Sequence, residues 1–152
     1  MITLDTIDRR ILAALQSDAT LSVAELAERV GLSQTPCWKR IKRLEGAGVI
    51  TGRVALLDRM QLGVGTTVFV SVRTSQHDED WLIQFAEAIR AIPEVTEFYR
   101  MSGDVDYLLK IVCRDIADYD RIYKAMIRAA KLSDVSSSFA MEQIKYTTEV
   151  PL

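Results

Sequence analysis

The chain has very little of what enzyme and metal sites are built from. Its one histidine, His77, sits in the polar run Thr74-Ser75-Gln76-His77-Asp78-Glu79-Asp80, among charged neighbours expected to be solvated. No Cys/His/Asp/Glu group has metal-ligand spacing, and no Gly-rich loop is suited to cradling phosphates. The two cysteines, Cys37 and Cys113, stand alone in apolar surroundings, which excludes a disulfide framework and reads as buried thiols in a reducing compartment. No stretch approaches the roughly 18 uninterrupted apolar residues of a membrane span. The first ten residues hold Asp5, Asp8, Arg9 and Arg10 and no signal-like apolar run. A cytoplasmic globular protein is expected, with no cofactor, no metal and no catalytic residues. Asp104 and Asp106 are the only tempting carboxylate pair, and two residues apart near a strand they suit ammonium binding as well as acid–base work.

What is present is an uneven distribution of charge. The net charge of −2 over 152 residues hides eight Lys/Arg against six Asp/Glu in residues 1–56, with the acidic excess in the remainder. A mildly basic head on an acidic body fits a polyanion-binding module joined to an independent domain.

Three helical patterns fill the head. Ile7, Ile11, Leu12 and Leu15 repeat at helical spacing behind Asp5 as N-cap. Ser22-Val23-Ala24-Glu25 is a capping box opening a second helix, and Gly31 ends it. Thr35 is expected to cap the third, with Pro36 in its first turn. Helix, short Gly-containing turn and helix make a helix-turn-helix unit. On the third helix Cys37, Ile41 and Leu44 point one way; Thr35, Pro36, Lys39, Lys42 and Arg43 cover the opposite face, with Arg40 at its edge. No acidic residue lies between Gly31 and Glu45, whereas an ordinary solvated helix intersperses them for pairing. That face is expected to bind double-stranded DNA through Ser33, Gln34, Thr35, Pro36, Trp38, Lys39, Arg40, Lys42 and Arg43. Trp38 is expected to pack half-buried beside the stripe, with base contact as the competing role.

From Gly63 the periodicity changes. Thr66–Val72, Val95–Met101, Asp106–Cys113 and Val135–Tyr146 read as strands; Asp80–Ile92 and Asp118–Ala130 read as helices. The fold class expected is therefore α+β: a helix-turn-helix domain at 1–52, an extended linker at 53–62, and a ferredoxin-like βαββαβ domain at 63–152. Both helices of that domain lie on one face of its sheet. Several strands are apolar on both sides, so a second copy is expected to cover the open face.

Four motifs in order resemble the Lrp/AsnC (feast/famine) family of transcriptional regulators: Leu4-Asp5-x-x-Asp8-x-x-Ile11-Leu12, Val30-Gly31-Leu32-Ser33-x-Thr35-Pro36-Cys37, Arg43-Leu44-Glu45-x-x-Gly48-x-Ile50, and Ser102-Gly103-Asp104-x-Asp106-Tyr107-Leu108-Leu109. Thr35–Arg40 and the ending Ser137–Tyr146 look closest to a cysteine-responsive, DecR-like branch. The resemblance implies homodimers assembling into octamers, and a small amino-acid effector, cysteine or leucine, bound between dimers. It places the effector against Met101, Ser102, Gly103, Asp104, Asp106 and Tyr107 of one chain and Ser136, Ser138 and Ala140 of a neighbour. Backbone N–H groups around Gly103 suit an α-carboxylate, and Asp104 or Asp106 an α-ammonium. Gly and Asp are also ordinary turn residues, so a plain hairpin is the competing reading of this segment. A ligand-independent protein that wraps DNA is the alternative function.

Overall fold

Capping side chains set where the first two helices begin. In the computed structural model, which describes residues 2–74, 79–129, 132 and 134–152, α1 spans Thr6–Ser17 and α2 spans Val23–Val30. Asp5 and Asp8 close one reciprocal capping box; Ser22 and Glu25 close the other. Gly31 ends α2 at φ 75°, a left-handed conformation that glycine adopts without the usual Cβ penalty. The third helix, α3, spans Gln34–Gly46. Ser33, not Thr35, occupies its N-cap position and makes no side-chain cap hydrogen bond. Thr35 lies inside the first turn beside Pro36, whose missing N–H costs nothing so near the start. Ile11, Leu26, Val30, Cys37, Ile41 and Leu44 form the head's core, each at most 5 % exposed.

The second half builds a four-stranded sheet from β1 (Thr66–Arg73), β2 (Val95–Arg100), β3 (Tyr107–Cys113) and β4 (Asp134–Phe139), in spatial order β2-β3-β1-β4. Every neighbouring pair is antiparallel. With α4 (Glu79–Arg90) after β1 and α5 (Ile116–Ala129) after β3, this is the ferredoxin-like βαββαβ arrangement. Val68, Val70 and Val72 of β1 and Leu109 and Ile111 of β3 are buried with Phe85 and Ile89 of α4 and Ile122 and Met126 of α5. Strand alternation puts all the sheet residues of that core on one face, so both helices cover the same side. The other face carries half-buried Leu108 and Val112 and exposed Phe69, but also Ser71, Ser136, Ser138 and the Lys110–Glu97 ion pair at 2.6 Å. It is more polar than the alternation of valine and leucine implied.

Element boundaries differ from expectation in one instructive place. The last strand was expected to run to Tyr146, yet β4 stops at Phe139. Ala140 donates its N–H to Thr67 O, and β1 begins one residue earlier at Thr66, so within one chain hardly any of β1 is left to pair with residues 141–146. Residues 145–152 group with the head: the units are Met1–Leu56 with Lys145–Leu152, and Leu57–Ile144. In the first unit the Gln16 amide clamps the tail at both polar groups of one residue: its Nε2 donates to Val150 O at 3.1 Å, and its Oε1 accepts from Val150 N at 2.7 Å. The segment from 51 to 58 forms no helix or strand and leaves Val54, Leu56 and Leu57 exposed. His77 and Ala130, named in the sequence reading, lie outside the described residues.

Candidate nucleic-acid interface and effector turn

The turn from α2 to α3 is three residues long, Gly31 to Ser33, and it presents the N-terminal half of α3 outward. Cys37, Ile41 and Leu44 anchor the helix at 0 %, 5 % and 0 % exposure. Ser33, Gln34, Thr35, Pro36, Trp38, Lys39, Lys42 and Arg43 are exposed, and Arg40 is half-buried. Trp38 leaves 49 % of its surface open, so its ring is available to a partner. Burial alone raises the Cys37 thiol above its ordinary range, consistent with an inert core residue.

The cations of α3 are not equally available. Arg40 donates from one nitrogen to Asp5 at 2.7 Å and to Asp8 at 2.8 Å, and Arg43 donates to the other oxygen of Asp8. Asp8 is fully buried. Burial works hardest on its carboxyl and pushes its pKa upward, but hydrogen bonds from Arg43, the Asp5 N–H and Arg40 outweigh it and hold it at about 2. Lys42 pairs with Glu45 at 2.8 Å, and Glu45 also receives Arg53 at 3.3 Å. Among the described residues, Lys39 is the one α3 cation without an ion-pair partner. The Asp5–Asp8 pair was visible in the sequence as a helix start; its second role, gripping two arginines some thirty-five positions away, had no local signal.

In the second unit, the β2–β3 connection closes with Met101 N–H donating to Asp106 O at 2.8 Å. Gly103 adopts φ 125°, a backbone conformation that L side chains rarely adopt. Asp106 is partly committed: one of its carboxylate oxygens accepts the Thr74 N–H at 2.8 Å. Asp104 is exposed, and its carbonyl accepts from Arg73 Nε at 2.7 Å. Arg73 also meets Asp134 at 3.2 Å, which brings a guanidinium to this turn that the sequence reading missed. Met101 and Ser102 are exposed beside it. Tyr107, expected to face an effector, is instead 5 % exposed and packs edge-on to Phe85 at 5.2 Å in the helix-side core. Ser136 sits two rungs along β4 from Asp134, opposite Ser71, while Ser138 and Ala140 lie further from the turn. One chain therefore does not gather the turn and Ser138–Ala140 into a single site.

Comparison with known proteins bears on both halves. The Lrp/AsnC ligand binding domain family matches residues 67–150, and the winged helix-turn-helix DNA-binding family matches residues 4–51. The chain belongs to the Lrp/AsnC family of transcriptional regulators. It is 51 % identical to the DNA-binding transcriptional activator DecR of Escherichia coli (strain K12), over 98 % of this chain and 99 % of that one. An AsnC family transcriptional regulator from Agrobacterium tumefaciens superposes with a TM-score of 0.95 at 59 % identity, covering 97 % of both chains. A Neisseria meningitidis transcriptional regulator solved in complex with L-Met superposes with a TM-score of 0.92 at 35 % identity, covering 98 % of this chain and 97 % of that one. This Lrp/AsnC chain thus joins a DNA-binding helix-turn-helix to an amino-acid-binding domain, and its relatives are named as regulators, not enzymes.

Proposed function

We propose that this Lrp/AsnC protein controls transcription in the cytoplasm by inserting α3 into the major groove of operator DNA, under the control of a small neutral amino acid. The observation that carries the reading is α3 itself. Three buried residues at helical spacing pin one face to the core, and the opposite face presents Thr35, Lys39, Trp38 and Lys42 to solvent. A helix held in that way can read base edges with its N-terminal half while its cations meet phosphates.

The effector reading rests on the β2–β3 turn. Gly103 opens the backbone, Asp104 offers a carboxylate to an ammonium, and Arg73 adds a cation within reach of an α-carboxylate. Ser136, Ser138 and Ala140 would come from a neighbouring protomer, in an assembly formed first through the open sheet face and then between dimers. Cysteine remains the first candidate and leucine the second; the L-Met complex of the Neisseria relative supports a neutral, sulfur-bearing or aliphatic side chain. Binding between dimers lets a small ligand change the spacing of DNA-reading heads, with an effect of about 1–3 kcal/mol.

Calorimetry with reduced L-cysteine, L-leucine and L-methionine tests the site. Asp104→Ala is expected to weaken binding of the responsive amino acid at least tenfold while leaving DNA affinity near wild type. Unchanged binding removes this turn from the site.

A further inference from the structure

The basic residues of α3 are watched from behind by carboxylates. Asp8 projects from α1 into the interface with α3 and, though fully buried, carries its negative charge between two guanidinium groups. Asp5 shares Arg40 from the exposed side. A buried carboxylate stripped of such partners is costly, so these contacts are strongly favoured in the free protein. Arg40 and Arg43 belong to a set of four cations on α3, completed by Lys39 and Lys42. Every arginine held against α1 is one that cannot extend fully towards a phosphate.

We propose that Asp8 is a positioning residue for DNA recognition: it restrains Arg40 and Arg43 against α1 and so limits the sequence-independent phosphate attraction that α3 exerts. The proposal rests on the reading of α3 as the DNA-binding helix. Sequence-independent affinity grows with the number of phosphates neutralised, whereas discrimination comes from base contacts. A regulator must leave the wrong sites, so tethering two of its cations internally favours specificity over general adhesion. The same tether fixes the rotation of α3 about its own axis, because both arginines pull on opposite oxygens of one carboxylate.

The test measures binding of the full-length protein to a random-sequence duplex of about 20 base pairs as a function of salt. Asp8→Asn keeps the shape and an acceptor for the Asp5 N–H but removes the charge. Asp5→Asn keeps a good N-cap for α1 and releases only the outer contact of Arg40. Asp18→Asn removes one negative charge from the same domain without touching either arginine, since Asp18 bonds locally to Thr20. Each cation released to phosphate adds about 0.9 to the slope of log K against log salt. The expected result is a slope steeper by one to two such increments in Asp8→Asn, by up to one in Asp5→Asn, and unchanged in Asp18→Asn. If Asp8→Asn does not fold, Arg43→Gln decides: an Arg43 held on Asp8 adds no phosphate contact, so its removal leaves the slope at the wild-type value, and a slope shallower by a full increment overturns the proposal. A folded Asp8→Asn protein with the wild-type slope overturns the proposal, as does an Asp18→Asn protein that steepens equally. In those cases wild-type binding is intact and the DNA reading survives. Wild-type protein that fails to bind the duplex overturns both.

Discussion

Replacing Lys39 and replacing Arg43 with alanine should have different consequences, although both remove a cation from the same exposed face. Lys39 has no ion-pair partner among the described residues, so Lys39→Ala costs the fold little, within about 0.5 kcal/mol. Its loss appears in DNA binding: one phosphate contact fewer lowers the salt slope by about 0.9, making the variant roughly 3.5-fold less sensitive than wild type to a change from 50 to 200 mM salt. Arg43→Ala instead abandons a carboxylate whose side chain is 1 % exposed. Leaving such a group with no partner would cost about 3–5 kcal/mol. Arg40 and the Asp5 N–H remain on Asp8, so the expected cost is the net value of one hydrogen bond to a charged group, about 2 kcal/mol. Urea unfolding reports the first quantity, and fluorescence anisotropy of a labelled duplex at several salt concentrations reports the second. Equal stability losses in the two variants, or an unchanged salt slope in Lys39→Ala, would refute this division of labour.

Three further outcomes follow from the same geometry. Asp8 ordinarily titrates near 3.8 and is held at about 2, so its contribution of about 2 kcal/mol is complete above 3.8 and is lost as pH falls through about 2; acid unfolding of the head, followed by Trp38 fluorescence in a Trp81→Phe background, should move to higher pH in Arg43→Ala. Gly103→Ala meets no atom within 4 Å, yet its φ of 125° should cost about 1–3 kcal/mol in chemical denaturation, and a variant as stable as wild type would contradict the strained turn. Gln16→Leu removes both bonds to Val150, so amide exchange of the Val150 N–H should accelerate at least tenfold while α1 stays protected.

Much of the fold was readable because local rules and tertiary structure agree here. Asp5 and Ser22 cap helices where a short polar side chain precedes an apolar period, and the valines of β1 alternate as a half-buried strand requires. What escaped depends on residues distant in sequence. The end of β4 is set by where β1 runs out of partners, which no property of residues 140–146 reveals. The inward turn of Tyr107 follows from strand register: its place opposite Val72 points it at the helices, where Phe85 and Phe98 receive it. At the candidate site, periodicity correctly separated the buried and exposed faces of α3, but it treated all exposed cations alike. Which of them is free depends on Asp8 and Glu45, one reaching across from another helix and one from the following turn. Arg73 was overlooked at the effector turn because nothing in its own neighbourhood hints that β1 ends beside Asp104.

The central claim is that α3 makes this Lrp/AsnC protein a sequence-reading regulator, and selection of bound duplexes from a random pool tests it most directly. Wild-type protein should enrich a common sequence, and Lys39→Ala should enrich the same sequence more weakly, since a phosphate contact sets affinity and not identity. Recovery of duplexes with no shared sequence, at an affinity set by salt alone, would contradict the claim and favour the DNA-wrapping alternative.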